Sequence, residues 1–120
     1  MYMVMLVLDD ADRLDAVVDA WAGIGISGAT IVESTGIYRH RATRGKVHAR
    51  YNFAGAGGGA EFGNYTLFAV VPDEAVARQC LAAVEGVVGD LDGPNTGVLA
   101  AWPLGVVKGV PPEISRAREA

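Results

Sequence analysis

The stretch Leu6-Val7-Leu8-Asp9-Asp10 has a counterpart 63 residues further along the chain, at Ala69-Val70-Val71-Pro72-Asp73. An apolar run that ends at aspartate is typical of a buried strand leading into a helix capped by that aspartate. The helical residues that follow also correspond at this offset: Val17, Val18, Trp21 and Gly23 fall on Cys80, Leu81, Val84 and Gly86. The chain therefore contains two related strand–helix units.

Each unit also has a second strand. At an offset of 69, Gly28 and Gly36 fall on Gly97 and Gly105. A twice-repeated β-α-β unit predicts an α+β, ferredoxin-like βαββαβ sandwich: a four-stranded antiparallel sheet with two helices on one face. The predicted strands are Tyr2–Leu8 and residues 28–34, 65–71 and 98–107, and Pro103 in the last indicates a sheet edge or a bulge. The first helix ends at Gly23 or Gly25, and the second runs from the Asp73 cap to Gly86.

Composition narrows the class of protein. With 120 residues, 51% of them hydrophobic, the chain forms one domain with a real core. We expect residues 1–110 to form this domain and residues 111–120 a tail. One cysteine, Cys80, excludes a disulfide scaffold and is expected in the core, with Trp21 and Trp102 also as packing residues. The net charge of −4 argues against a general nucleic-acid binder, and no apolar run is long enough to span a membrane. We expect a cytoplasmic protein.

Basic charge is concentrated in one segment. Between Ser34 and Ala60 there is no acidic residue, whereas five basic residues occur there: Arg39, Arg41, Arg44, Lys46 and Arg50. This segment carries +5, so the remainder carries 5 − 14 = −9. It ends in a glycine-rich run at residues 54–60 that favours no regular element. We expect residues 36–64 to form a long, flexible, basic loop, and loops of that length are usually functional or disordered.

Three segments together resemble the PII signal-transduction proteins: Gly28-Ala29-Thr30-Ile31-Val32-Glu33-Ser34-Thr35-Gly36-Ile37-Tyr38-Arg39, Tyr65-Thr66-Leu67-Phe68-Ala69-Val70-Val71-Pro72-Asp73, and Ala101-Trp102-Pro103-Leu104. Their order and spacing, with the basic loop between the first two, carry the resemblance over residues 1–110. It is closer to divergent PII-like proteins than to true nitrogen regulators.

This resemblance implies a bacterial homotrimer that binds an adenine nucleotide such as ATP, ADP or AMP, with or without Mg²⁺, in clefts between subunits. It implies no covalent cofactor. One wall of each cleft would contain Thr30, Glu33, Gly36 and Arg39. The other would contain Gly86, Gly89, Gly93 and Gly97 of a neighbouring chain. The long loop, a T-loop in this family, would bind an unknown protein target through Arg41, Arg44, Lys46, Arg50 and Tyr51.

The sequence also departs from the family pattern. Val98 stands where the family has a phosphate-binding lysine, and the arginine pair that usually follows the fourth strand is missing. The glycine-rich segment instead contains Asp90 and Asp92, which repel phosphate unless a divalent cation lies between them. Weak binding of a small anionic effector is therefore expected, in preference to tight binding of ATP.

Two other functions are compatible with the sequence. One is a metal-binding relative resembling the divalent-cation tolerance proteins, in which assembly brings copies of His40 or His48 together. The other is a structural oligomer with no effector. An enzyme is not expected, because no nucleophile–base arrangement is placed on rigid elements and both histidines fall in the loop.

Limited proteolysis tests the predicted loop. Trypsin should cut first at Arg41, Arg44 or Lys46, because a glycine-rich segment with like charges forms few protective contacts. Mass spectrometry of early fragments identifies the sites. First cleavage at Arg13 or Arg78, which lie in the predicted helical units, would contradict the prediction.

Overall fold

A computed structural model describes residues 1–26, 28–36 and 64–110. It has the predicted α+β architecture, with four strands and two helices. The elements in chain order are β1 (Tyr2–Leu8), a short 3-10 turn (Ala11–Arg13), α1 (Leu14–Gly23), β2 (Thr30–Ser34), β3 (Asn64–Val71), α2 (Glu74–Val88) and β4 (Gly97–Pro103). Residues 37–63, which contain most of the predicted basic loop, and residues 111–120, the predicted tail, lie outside the described part of the chain.

The sheet has the order β2-β3-β1-β4, and every neighbouring pair is antiparallel. This is the strand order of the ferredoxin-like sandwich, so the predicted fold class is confirmed. β1 and β3 are central, whereas β2 and β4 are the edges. The edge position of β4 agrees with Pro103, which has no N–H to donate to a neighbouring strand.

The core lies between the helices and one face of the sheet. Val4, Leu6 and Leu8 of β1 are fully buried there, as expected for alternate residues of a strand. Trp21 of α1 is also buried, and its indole Nε1 donates a hydrogen bond to the Cys80 carbonyl of α2 at 3.2 Å. That bond satisfies the polar atom of the largest core side chain and joins the two helices.

Within residues 1–26, 28–36 and 64–110, the opposite face of the sheet, which we call the open face, carries no helix. Strand alternation and register place thirteen side chains on it: Met3, Met5, Val7, Thr30, Val32, Ser34, Asn64, Thr66, Phe68, Val70, Val98, Ala100 and Trp102. None of these is charged. Trp102, expected as a packing residue, lies on this face and is 41% exposed within one chain. Its position on an edge strand, away from the helices, explains this exposure.

Several predicted boundaries need correction. α2 does not end at Gly86 but continues to Val88, with Gly89 as its cap. Glycine costs a helix only about 1 kcal/mol, and partly buried Val87 and Val88 pack against the core beyond it. β4 ends at Pro103 and not at residue 107, and β2 begins at Thr30 and not at residue 28. The Asp73 cap of α2 is confirmed by a 3.0 Å hydrogen bond from the N–H of Val76.

The first helical segment is capped by Asp10, one of the two aspartates considered for that role. Its Oδ1 accepts the N–H of Asp12 at 3.0 Å. Cys80 is fully buried as expected, and burial raises the pKa of its thiol to about 12. In the described part of the chain, no helix combines the length and apolar character that crossing a membrane requires.

Gly97 is required by the pairing of β4 with β1. It lies opposite Leu8 with a φ of +140°, and a Cβ there would collide with the carbonyl oxygen of Val7. Gly86, by contrast, lies within α2 and has open space where a Cβ would be. Gly86 and Gly97, the first and last glycines of the predicted glycine-rich wall, thus have different structural roles.

Replacing each glycine by alanine should affect the free energy of unfolding differently. Gly97→Ala should lower the free energy of unfolding by about 1–3 kcal/mol, through backbone strain and the clash with Val7. Gly86→Ala, the control, should leave it unchanged or raise it by up to about 1 kcal/mol, because alanine favours the helix. Urea unfolding followed by circular dichroism measures both. Equal effects of the two substitutions would show that Gly97 is not held by this geometry.

Candidate functional site

Apart from Thr30, the two proposed walls lie at the same end of the sheet but on opposite edges. The register aligns Gly97, Leu8, Tyr65 and Glu33 in one row across the four strands. Three inter-strand steps separate the ends of that row, roughly 14 Å. One chain therefore cannot close these residues around a small ligand. Two chains can do so if the β2 edge of one approaches the β4 edge of another.

The β2 wall is only partly assembled within the strand. Thr30 and Glu33 are separated by an odd number of positions, so they project from opposite faces of the sheet. Glu33 is on the helix face, near the strand end, and Gly36 follows it. Thr30 is on the open face, three residues or roughly 10 Å away along the strand. Arg39 lies outside the described residues, as do Arg41, Arg44, Lys46, Arg50 and Tyr51.

A small polar cluster that the sequence analysis missed lies where residues 37–63 leave and rejoin the sheet. Ser34 Oγ lies 2.7 Å from Asn64 Oδ1 and 2.8 Å from Thr66 Oγ1. Asn64 and Thr66 are both buried. Ser34 and Asn64 face each other across β2 and β3, so the cluster ties the two ends of the long segment together. The only sequence signal is that small polar residues flank that segment.

The glycine wall is a compact turn between α2 and β4. Gly89 ends the helix with a φ of +90°, and its N–H donates to the Glu85 carbonyl at 3.0 Å. Gly93 donates to the Asp90 carbonyl at 2.9 Å. The Thr96 hydroxyl contacts the carbonyls of Leu91 and Gly93, at 3.1 and 3.0 Å. Gly89, Gly93 and Gly97 thus have structural roles in the turn, whether or not they bind a ligand.

Carboxylates of the turn bind its own backbone amides. Glu85 Oε2 accepts the N–H of Leu91 at 3.0 Å. Asp90 Oδ1 accepts the N–H of Asp92 at 2.9 Å. The amides of Leu91, Asp92 and Gly93 are thereby satisfied within the chain, so an anion would have to displace these bonds to reach them. Glu85 was not among the residues expected here, and its position one turn before the helix end is a weak signal in the sequence.

A cavity of about 300 Å³ opens beside this turn. Its lining is Leu81, Glu85, Leu91, Asp92, Gly97, Val98 and Leu99. The leucines supply apolar walls, and Glu85 and Asp92 supply hydrogen-bond acceptors. Such a cavity suits a planar apolar group with N–H donors better than it suits phosphate, because the nearby charges are negative.

Metal ligation receives no support from this part of the molecule. Within residues 1–26, 28–36 and 64–110, no three side chains of histidine, cysteine, aspartate or glutamate are arranged to hold a metal ion. His40 and His48, the residues considered for metal binding, lie outside those ranges.

Comparison of the chain with known proteins gives no assignment. No protein-family model matches it, and no curated protein matches it significantly.

Proposed function

We propose that the protein is a PII-like regulatory subunit that binds a small anionic effector, such as an adenine nucleotide, between neighbouring chains. The observation that carries the proposal is the arrangement of the two walls. Apart from Thr30, they lie at one end of the sheet and on opposite edges, so a binding site containing both can form only between chains. One chain alone provides only one wall of each proposed binding site.

Self-association is supported by the open face. Trp102, Val98 and Val32 are 41%, 59% and 45% exposed there, and no charged side chain interrupts the apolar surface. Fully burying an exposed large apolar side chain contributes about 1.5–3 kcal/mol, and these half-exposed side chains leave part of that gain to an assembly. A ring of three chains would bring the open faces together and would also place each β2 edge beside a β4 edge. This arrangement satisfies the apolar face and completes the clefts.

Within the cleft, we assign the cavity beside the α2–β4 turn to the base of the nucleotide. Leu81, Leu91 and Leu99 offer it apolar contact, and Glu85 or Asp92 can accept hydrogen bonds from an exocyclic amine. The phosphates would extend toward the β2 wall of the neighbouring chain, where Arg39 supplies positive charge. Carboxylates on one wall and arginine on the other orient the ligand.

Signalling is assigned to the basic segment between β2 and β3. Its five Lys and Arg residues suit an acidic surface of a protein target. The segment starts and ends at the Ser34–Asn64–Thr66 cluster, next to Gly36 of the candidate wall. A ligand that contacts Gly36 would therefore act close to the point where the basic segment joins the domain. Catalysis is not part of the proposal.

Arg39→Ala should weaken nucleotide binding at least tenfold in isothermal titration calorimetry, because it removes the positive charge expected at the phosphates. Tenfold corresponds to about 1.4 kcal/mol. Arg78→Ala is the matched control, since it removes one positive charge from an exposed site on α2, where Arg78 pairs with Glu74 at 2.8 Å. Equal loss of affinity in both variants would contradict a specific role for Arg39.

Asp92→Asn should strengthen ATP binding, and more so than AMP binding, because repulsion grows with phosphate charge. Mg²⁺ should reduce the difference by screening that charge. Titrations of wild type and variant with AMP and ATP, each with and without Mg²⁺, measure this. If no nucleotide binds at millimolar concentration in any of them, the cleft is not a nucleotide site. Binding of Zn²⁺ or Cu²⁺ alone would then favour the metal-binding alternative, and binding of neither a structural oligomer.

A further inference from the structure

An apolar arm continues from the end of β4. Leu104 anchors it by donating its N–H to the Met1 carbonyl at 2.9 Å, and residues 105–110 beyond it form no helix or strand. Val106 is 93% exposed, the largest exposure among the large hydrophobic residues described. Burial of this side chain against an apolar surface of another chain would therefore be favourable.

An apolar groove lies on the opposite edge of the domain, between α1 and the edge strand β2. It has a volume of about 320 Å³ and is lined by Val18, Trp21, Ala22, Ile26, Ala29 and Ile31. Ile31 is 44% exposed, so the groove is open at the strand edge. An edge strand also presents backbone N–H and C=O groups that an extended segment of another chain can bind.

Arm and groove are placed for contact between chains. The register places Ala100 of β4 in the same row as Thr30, the first residue of β2. From Ala100, β4 continues for three residues to Pro103, so β4 ends at the end of the sheet at which β2 begins. The arm and the groove are therefore at the same end, on opposite edges. When the β4 edge of one chain approaches the β2 edge of the next, the arm of the first arrives at the groove of the second.

The charges also match. Asp15 and Asp19 are exposed on α1, one turn apart, beside the groove residues Val18 and Ala22. Lys108 is the only charged residue between Leu104 and Val110. It follows Val106 by two positions, so a strand-like arm with Val106 in the groove projects Lys108 from the same face. The ammonium group would then lie near the acidic rim of α1.

We propose that the arm, residues 104–110, docks on a second copy of this chain, with Val106 in the groove between α1 and β2 and Lys108 beside Asp15 and Asp19. This inference rests on the self-association in the proposed function and adds a specific contact to it. The contact is head-to-tail, and in the ring of three chains of the proposed function it would repeat at each interface and leave no groove empty. It also holds the β2 and β4 edges, and with them the two walls of each cleft, together.

Cysteine cross-linking between differently tagged, co-expressed chains tests the docking. One chain carries Val106→Cys and the other Ile31→Cys. Native Cys80 is fully buried with its pKa raised to about 12, so it stays protonated and contributes little to the reaction. The control pair is Val106→Cys with Gln79→Cys, which places the second thiol on the exposed surface of α2. Mild oxidation, non-reducing gels and peptide mass spectrometry identify the linked residues.

Docking predicts a 106–31 disulfide between the two chains in at least tenfold higher yield than the 106–79 disulfide. Adding Lys108→Glu to the Val106→Cys chain should lower that yield several-fold, and 0.5 M NaCl should also lower it for the unmodified arm. A double variant, Val106→Cys with Ile31→Cys in one chain, should link between chains. A disulfide within single chains would show that the arm folds onto its own groove and would overturn the proposal.

Failure of the docking and failure of the proposed function give different results. An assembly that binds nucleotide but forms no 106–31 disulfide above the control overturns the docking alone. A disulfide between chains without nucleotide binding supports the docking and overturns the effector proposal. A monomer without either overturns both.

Discussion

The open face of the sheet is the constraint on which the rest of this molecule depends. A four-stranded sheet with both helices on one side must cover the other side with water or with protein. Here thirteen residues face that side without one charge among them, and three large apolar side chains on the edge strands are about half exposed. Water is a poor cover for such a surface. A second copy offers the same uncharged surface in return, which explains why we place the function in an assembly and not in a single chain.

The edges of the sheet give that assembly its direction. One edge carries the acidic α2–β4 turn with its 300 Å³ cavity, and the other carries Glu33, Gly36 and the base of the basic segment. The arm and the apolar groove are divided between the same two edges, at the other end of the sheet. Each edge thus carries one side of the proposed effector cleft and one side of the proposed docking contact. In the assembly that we propose, head-to-tail contact of unlike edges completes both.

The fold could be predicted from the sequence because its signals are local. Aspartate after an apolar run marks both helix starts, and the repeat of the strand–helix unit gives the strand order. The boundary errors have local causes too. Gly86 is a plausible helix end by composition, but packing of Val87 and Val88 carries the helix past it, and hydropathy alone does not show on which face of the sheet Trp102 packs.

The candidate site was less predictable because it depends on contacts between distant residues. The odd spacing of Thr30 and Glu33 on a predicted strand already places them on opposite faces, but no spacing shows that Glu85 and Asp90 bind backbone amides of their own turn. The glycines there were assigned to phosphate, yet Gly97 is needed for the close approach of β4 to β1. Nor does any pattern reveal the Ser34–Asn64–Thr66 cluster, whose members come together only through strand register.

Self-association through the open face is the central claim, and the molar mass in solution tests it most directly. Size-exclusion chromatography with multi-angle light scattering, at micromolar concentration and moderate salt, should give about three times the 12.5 kDa chain mass. Trp102→Lys should shift that mass toward the single chain without changing the circular dichroism spectrum, because it places a charge on the open face. A wild-type mass of 12.5 kDa across the concentration range would contradict the account.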